Sequence, residues 1–138
     1  MRAAHAKAAA TISRFIEHVR SDVPGFRSVK LRFRDPDESE RLGEDRFLFL
    51  WLTGVRYHAE EKLFSGTFFE VPQAFQKWHK VGDHLGFDPE DVFDWMMLTD
   101  DGRLFGGYTL RVARASLPES ERIDYDKHIG VRVYEESA

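Results

Sequence analysis

The sequence predicts an α+β fold: a single compact domain with a curved antiparallel sheet of five or six strands, an N-terminal helix before the sheet and C-terminal helices after it. Three observations predict it. An alanine-rich amphipathic stretch opens the chain, short apolar runs with strand-like patterning fill its middle, and helical segments bounded by glycine or proline close it. The 138 residues suit one core, because a domain of this size buries about two-thirds of the surface its unfolded chain exposes. We place the N-terminal helix in residues 1–25, packed on an α+β domain of residues 26–138.

From Ala3 to Arg20, Ile12, Phe15, Ile16 and Val19 recur at i, i+3, i+4 and i+7, the stripe of a helix laid on a core. Asp22, Pro24 and Gly25 end it. Val29, Leu31 and Phe33 then alternate with Lys30, Arg32 and Arg34, which predicts a strand with one wet face. Asp35 to Asp45 is polar and carries Pro36 and Gly43, so it reads as an exposed loop. Phe47 to Leu52 (FLFLWL) is apolar at every position, which predicts a central strand covered on both faces. After the polar connection at 58–62, Leu63 to Val71 returns as the second arm of a hairpin. Gly66 marks a bulge or a close backbone approach there, and Pro72 ends the pairing.

Phe75 and Trp78 predict a short helical turn, Gly82-Asp83 a reversal, and His84 to Phe87 a brief strand. In DPED, Asp88 suits an N-cap, Pro89 the first helical position and Asp91 the acidic third, so a helix start is expected. Trp95 to Leu98 and Arg103 to Phe105 form two strands around the Asp101-Gly102 turn. Tyr108 to Leu117 fits a strand by alternation and a helix by the spacing of Leu110, Ala113 and Leu117; we favour helix. Pro118, Glu119 and Glu121 begin another helix, which Gly130 stops.

Cysteine is absent, which excludes disulfide scaffolds, thiolate metal sites and cysteine nucleophiles. The net charge of −4 gives no global basic field, so nucleic acid is a poor default partner. The opening MRAAHAKAAATISRF lacks the apolar stretch of a signal peptide, and no 18-residue apolar run occurs, so we expect a cytoplasmic protein without a membrane partner.

Few residues invite chemistry. His79, Asp83 and His84 do not share the helical spacing of a zinc site, because Gly82 intervenes, so no metal and no cofactor is expected. Asp100 and Asp101 are good turn formers before they are acids. Asp94 stands out: it lies between apolar Val92-Phe93 and Trp95-Met96-Met97, where an acid is either hydrogen-bonded to backbone or part of an active site. No nucleophile elbow, Walker loop or GxGxxG is present, so no residue is assigned a catalytic role. Trp51, Trp78, Trp95 and the phenylalanines would make a stacking platform only with a basic track beside them. Arg103, Arg111 and Arg114 supply a small cluster.

The segment Lys80 to Arg122 resembles the C-terminal half of the YegJ-like bacterial domains of unknown function, family 2314. The shared features are Gly82-Asp83, the Val-x-Asp-Trp-Met pattern of Val92 to Met96, Asp101-Gly102, and Gly-Gly-Tyr-Thr at Gly106 to Thr109. A looser likeness extends back to about Phe26. Many relatives carry a Glu-His pair before the central tryptophan and Asn-Glu-Pro after the second strand; this chain has Leu48-Phe49 and Glu70-Val71-Pro72. The resemblance implies a compact α+β domain and brings no activity, cofactor or substrate.

We therefore expect a non-catalytic binding module for a protein partner or small ligand, with immunity-protein-like character as an analogy. Asp94, Trp95, Arg103, Gly106, Gly107, Tyr108 and Arg111 are the candidate binding residues. The alternative expectation is a hydrolase or nuclease-like enzyme using Asp94 with a histidine such as His84.

Overall fold

A computed structural model describes residues 1–135, in the α+β class expected. Five α-helices and seven strands lie among these residues, one or two strands more than expected. The chain divides into two compact units, 28–93 and a discontinuous one of 1–27 with 94–138.

In the 28–93 unit the strands lie in the order β4-β3-β2-β1. Strand β1 (Gly25–Arg34) begins just before the unit, β2 spans Phe47–His58, β3 Leu63–Phe68 and β4 His84–Phe87. All three pairings are antiparallel, and β2 with β3 forms the expected hairpin. The register of β2 against β3 shifts between Thr53 and Arg56, where Gly54 takes φ +59°. Gly66 is a close approach: a Cβ there would meet the Leu52 side chain at 3.1 Å. Val29, Leu31, Leu50, Leu52, Val55, Phe64 and Phe68 form the buried side. The other side is open. Phe47 and Phe49 are 43% and 41% exposed, so the FLFLWL strand is not covered on both faces as its composition predicts.

The polar 35–45 segment is not a loop but holds a helix, α3 (Pro36–Leu42). Its start follows helix-terminus chemistry: the Asp35 side chain accepts from Glu38 N, Pro36 stands at N1, and Gly43 closes the C-terminus at φ +70°. Pro36 and Gly43, which read as breakers in the sequence, are the two boundaries of the helix. A 3-10 turn at Gln73–Phe75 matches the helical turn expected nearby. The DPED segment makes only one 3-10 turn, Pro89–Asp91, whose capping box is complete before strand β5 (Val92–Thr99) begins. The cap chemistry is that of a helix start, but the β-branched and aromatic run that follows favours a strand over a continued helix.

In the other unit β5 pairs antiparallel with β6 (Arg103–Gly106), and β6 pairs in parallel with the short β7 (Val133–Tyr134), a strand that the sequence does not announce. The expected single N-terminal helix is two, α1 (Arg2–Ala10) and α2 (Ile12–Arg20), broken at Thr11. Helix α4 (Tyr108–Ala115) confirms the helical reading of that segment, and α5 (Glu119–Ile129) ends at Gly130 as expected. Leu98, Leu104 and Val131 form one buried cluster, with Met96, Ile129 and Tyr134 against it.

Candidate functional site

The Asp94 neighbourhood is built around a helix end that cannot cap itself. Residue 107, the N-cap of α4, is glycine and offers no side-chain acceptor. The first N–H groups of a helix have no partner within it, and a carboxylate nearby satisfies them while complementing the helix dipole. Asp94, on β5, takes that place. Its Oδ1 accepts from Tyr108 N at 3.1 Å and from Trp95 N at 2.8 Å; its Oδ2 accepts from Thr109 N at 2.8 Å and from the Thr109 hydroxyl at 2.6 Å. The side chain is 0% exposed. Burial pushes the Asp94 carboxyl above its usual range, although the Thr109 hydroxyl and the three amides pull it back.

The double glycine lets the chain pass Trp95. Gly106 and Gly107 adopt φ +67° and +63°, and a Cβ on Gly106 would lie 2.4 Å from the Trp95 carbonyl oxygen. Gly107 N donates to that same oxygen at 2.6 Å. Only glycine meets both the left-handed dihedral and the close approach.

Trp95 is buried and stacks on Phe15, with ring centroids 5.2 Å apart, while Tyr108 meets it edge-on at 5.9 Å. Thr11 joins the two polar tips. Its hydroxyl donates to Lys7 O at 2.7 Å, which leaves its oxygen to accept from Trp95 Nε1 at 3.1 Å and from the Tyr108 hydroxyl at 3.0 Å. The break between α1 and α2 thus coincides with the residue that satisfies two buried aromatic donors. His18 lies against Trp95 and Phe105, and burial followed by the charge of Arg27 lowers its pKa.

Of the seven expected binding residues, five come together: Asp94, Trp95, Gly106, Gly107 and Tyr108 are all buried. Arg111 is half-buried and donates to the carbonyls of Gly106, Leu104 and Glu135. Arg103 is exposed and pairs with Glu135 at 2.9 Å. Sequence reasoning misses Thr11, since a lone threonine carries no spacing signal, and reads Thr109 only as the end of the Gly-Gly-Tyr-Thr pattern without giving it a role. The three groups weighed as metal ligands have other partners: His79 packs among the rings of Phe33, Phe68 and Phe75, His84 bonds to the Thr67 hydroxyl, and Asp83 accepts from Lys80 N. Among the described residues no three His, Asp or Glu side chains form a group that could hold a metal ion.

A second assembly lies in the 28–93 unit, on the open side of β1 and β2. Cross-strand register sets Lys30 beside Trp51, Arg32 beside Phe49 and Arg34 beside Phe47, one row of cations against one row of aromatic rings. The Arg32 guanidinium carbon sits 4.3 Å from the Phe47 ring centre and 5.3 Å from that of Phe93. Lys30 Nζ lies 5.2 Å from the Phe49 ring centre, and the Phe49 and Phe93 rings meet edge-on at 5.1 Å. Arg34 is paired with Asp45 at 3.0 Å. Arg32 and Phe93 also line an open cleft of about 420 Å³, together with Glu90 and Asp91. The alternation of Lys30, Arg32 and Arg34 announces the cationic row, but the unbroken apolar run of β2 conceals the aromatic one.

The family model for DUF2314, described as an uncharacterized protein conserved in bacteria, matches residues 1–133, so the chain belongs to that family. No curated protein and no solved structure matches it. Among the described residues no helix is long and apolar enough to cross a membrane.

Proposed function

We propose that this member of the DUF2314 family is a non-catalytic binding module, and that its contact surface is the open side of β1 and β2. The observation that carries the reading is Arg32, held between the Phe47 and Phe93 rings on a face where Phe47 and Phe49 remain accessible. Aromatic and arginine side chains are enriched in interface cores, where large rings and planar cations gain the most from losing water. In this reading the Asp94 motif is framework. Both Asp94 oxygens are occupied by four donors, and no histidine is among them, so the group lacks the free edge that a general base needs. Either a protein partner, as an immunity-like role requires, or a small ligand could engage such a prebuilt face.

Backbone-amide NMR against a panel of short oligonucleotides, acidic and basic peptides, and small anions tests this. Shifts concentrated in 30–34 and 47–53 for at least one panel member are expected, with no turnover of phosphodiester or carboxyl-ester substrates. Hydrolysis abolished by Asp94→Asn in a variant that still folds would overturn the reading, as would a panel with no response on this face.

A further inference from the structure

We infer that the β1–β2 face binds single-stranded nucleic acid, with phosphates on the cationic row and bases on the exposed phenylalanine rings. This rests on the reading of that face as a contact surface and gives it a nucleic acid, in place of a protein or small ligand, as occupant. Sequence-independent single-strand binding needs two things side by side, a cationic track for the backbone and aromatic surfaces on which bases stack. Here one strand supplies each. Lys30, Arg32 and Arg34 occupy alternate positions of β1, and Phe47, Phe49 and Trp51 occupy the facing positions of β2.

Arg32 brings charge to this face that a polyanion can use. Arg32 makes no ion pair among the described residues, and its interactions with Phe47 and Phe93 leave its charge unneutralised. Arg56 extends the track: it is exposed, and its pairing with Ser65, two residues before the Thr67 that faces Thr53, puts it on the same side of the sheet. No carboxylate stands at these ladder positions. Glu90 and Asp91 line the same cleft as Arg32 and Asp45 engages Arg34, so the favourable path runs along β1 and β2 toward Arg56. The net charge of −4 averages over the whole chain and hides this segregation.

The rings suit bases better than they suit carboxylates alone. Phe47 and Phe49 have no polar atom to satisfy and keep about two-fifths of their surface in water (43% and 41%). An acidic peptide would use the cations and could leave the rings wet; stacked bases use both. Same-face residues on a strand repeat about every 6.6–6.8 Å, so the face accommodates a short run of nucleotides, not one.

Fluorescence anisotropy of the full chain with fluorescein-labelled dT12 and rU12, and with labelled oligo-glutamate, tests the inference. Expected is micromolar binding of the oligonucleotides at low salt, with log K falling against log salt at a slope of about −1.4 to −2.1 for two to three phosphates. Phe49→Ala should weaken binding at least fivefold with the slope unchanged, since stacking is uncharged. Arg32→Glu should weaken it at least tenfold and flatten the slope. Lys7→Glu, the same charge change on an exposed residue of α1, should alter binding less than twofold. No oligonucleotide binding at low salt, an inert Phe49→Ala, or oligo-glutamate binding as tightly as dT12 would each overturn the inference. If oligo-glutamate or another panel ligand still shifted 30–34 and 47–53, the binding-module reading would survive its loss.

Discussion

Replacing Asp94 with Asn separates the framework role from a catalytic one, because it keeps the shape and changes only the hydrogen-bonding inventory. An asparagine side chain has one acceptor oxygen and one donor nitrogen where aspartate has two acceptors. All four partners of Asp94 donate in the native structure, so whichever way Asn turns, two of them face an NH₂ group. If the nitrogen takes the Oδ2 place, the Thr109 hydroxyl can rotate to accept, but Thr109 N loses its partner. If it takes the Oδ1 place, the amides of Trp95 and Tyr108 are both orphaned. A buried donor left unsatisfied costs about 1–3 kcal/mol, and the lost charge at the N-terminus of α4 adds about 0.3–1 kcal/mol. Relief of the buried charge offsets part of this, so we expect a net loss of about 2–3 kcal/mol. With roughly 2–8 °C per kcal/mol for domains of this order, the melting temperature should fall by about 5–20 °C. Urea unfolding followed by tryptophan fluorescence measures the loss directly. A variant within about 0.5 kcal/mol of wild type would refute the capping role and reopen the question of what the carboxylate does.

Three further outcomes follow from the same neighbourhood. Gly106→Ala should cost more than about 3 kcal/mol or prevent folding, since its Cβ would meet the Trp95 carbonyl at 2.4 Å from a φ of +67°, and soluble expression with circular dichroism reads this. Thr11→Val keeps the shape but strands Trp95 Nε1 and the Tyr108 hydroxyl, so a loss of about 2–4 kcal/mol in the same urea assay is expected; near-neutrality would mean that water replaces the threonine. Because burial lowers the folded-state pKa of His18 below its ordinary value near 6.5, the unfolded chain binds more protons there. Stability should be full above about pH 6.5 and fall as the pH drops below it, and His18→Gln should flatten that slope in melting temperature against pH.

The elements are legible in the sequence where one physical signal dominates. Period two announces β1, Asp-Gly the β5–β6 turn, and the spacing of Leu110 and Ala113 the helix α4. Sequence misleads where one residue has two uses. Pro36 and Gly43 break a helix from inside but delimit one from its ends, and only the Asp35 cap distinguishes the cases. Thr11 looks harmless inside a helical stripe, yet its oxygen is claimed by Trp95 and Tyr108 from more than eighty residues away in sequence, and the helix breaks there. Such long-range claims leave no local pattern.

The Asp94 motif is conspicuous in sequence and the β1–β2 face is not, for one physical reason. An acid beside a tryptophan and a double glycine is unusual in sequence because it is unusual in geometry: a strand carboxylate caps a helix whose own N-cap is Gly107, and the preceding Gly106 must be glycine to pass the Trp95 carbonyl. Constraint of that kind produces a visible motif whether or not a ligand ever touches it. A recognition face obeys the opposite logic, since its side chains point to water and need satisfy only strand alternation. Lys30, Arg32 and Arg34 therefore read as an ordinary wet face, and Phe47 and Phe49 as ordinary core, until antiparallel register sets the two rows against each other and leaves the rings accessible. Substitutions should separate the two kinds of residue: those at Asp94 and Gly106 should move stability, whereas Phe49→Ala, on a ring with two-fifths of its surface already in water (41%), should leave stability within about 1 kcal/mol and act on binding.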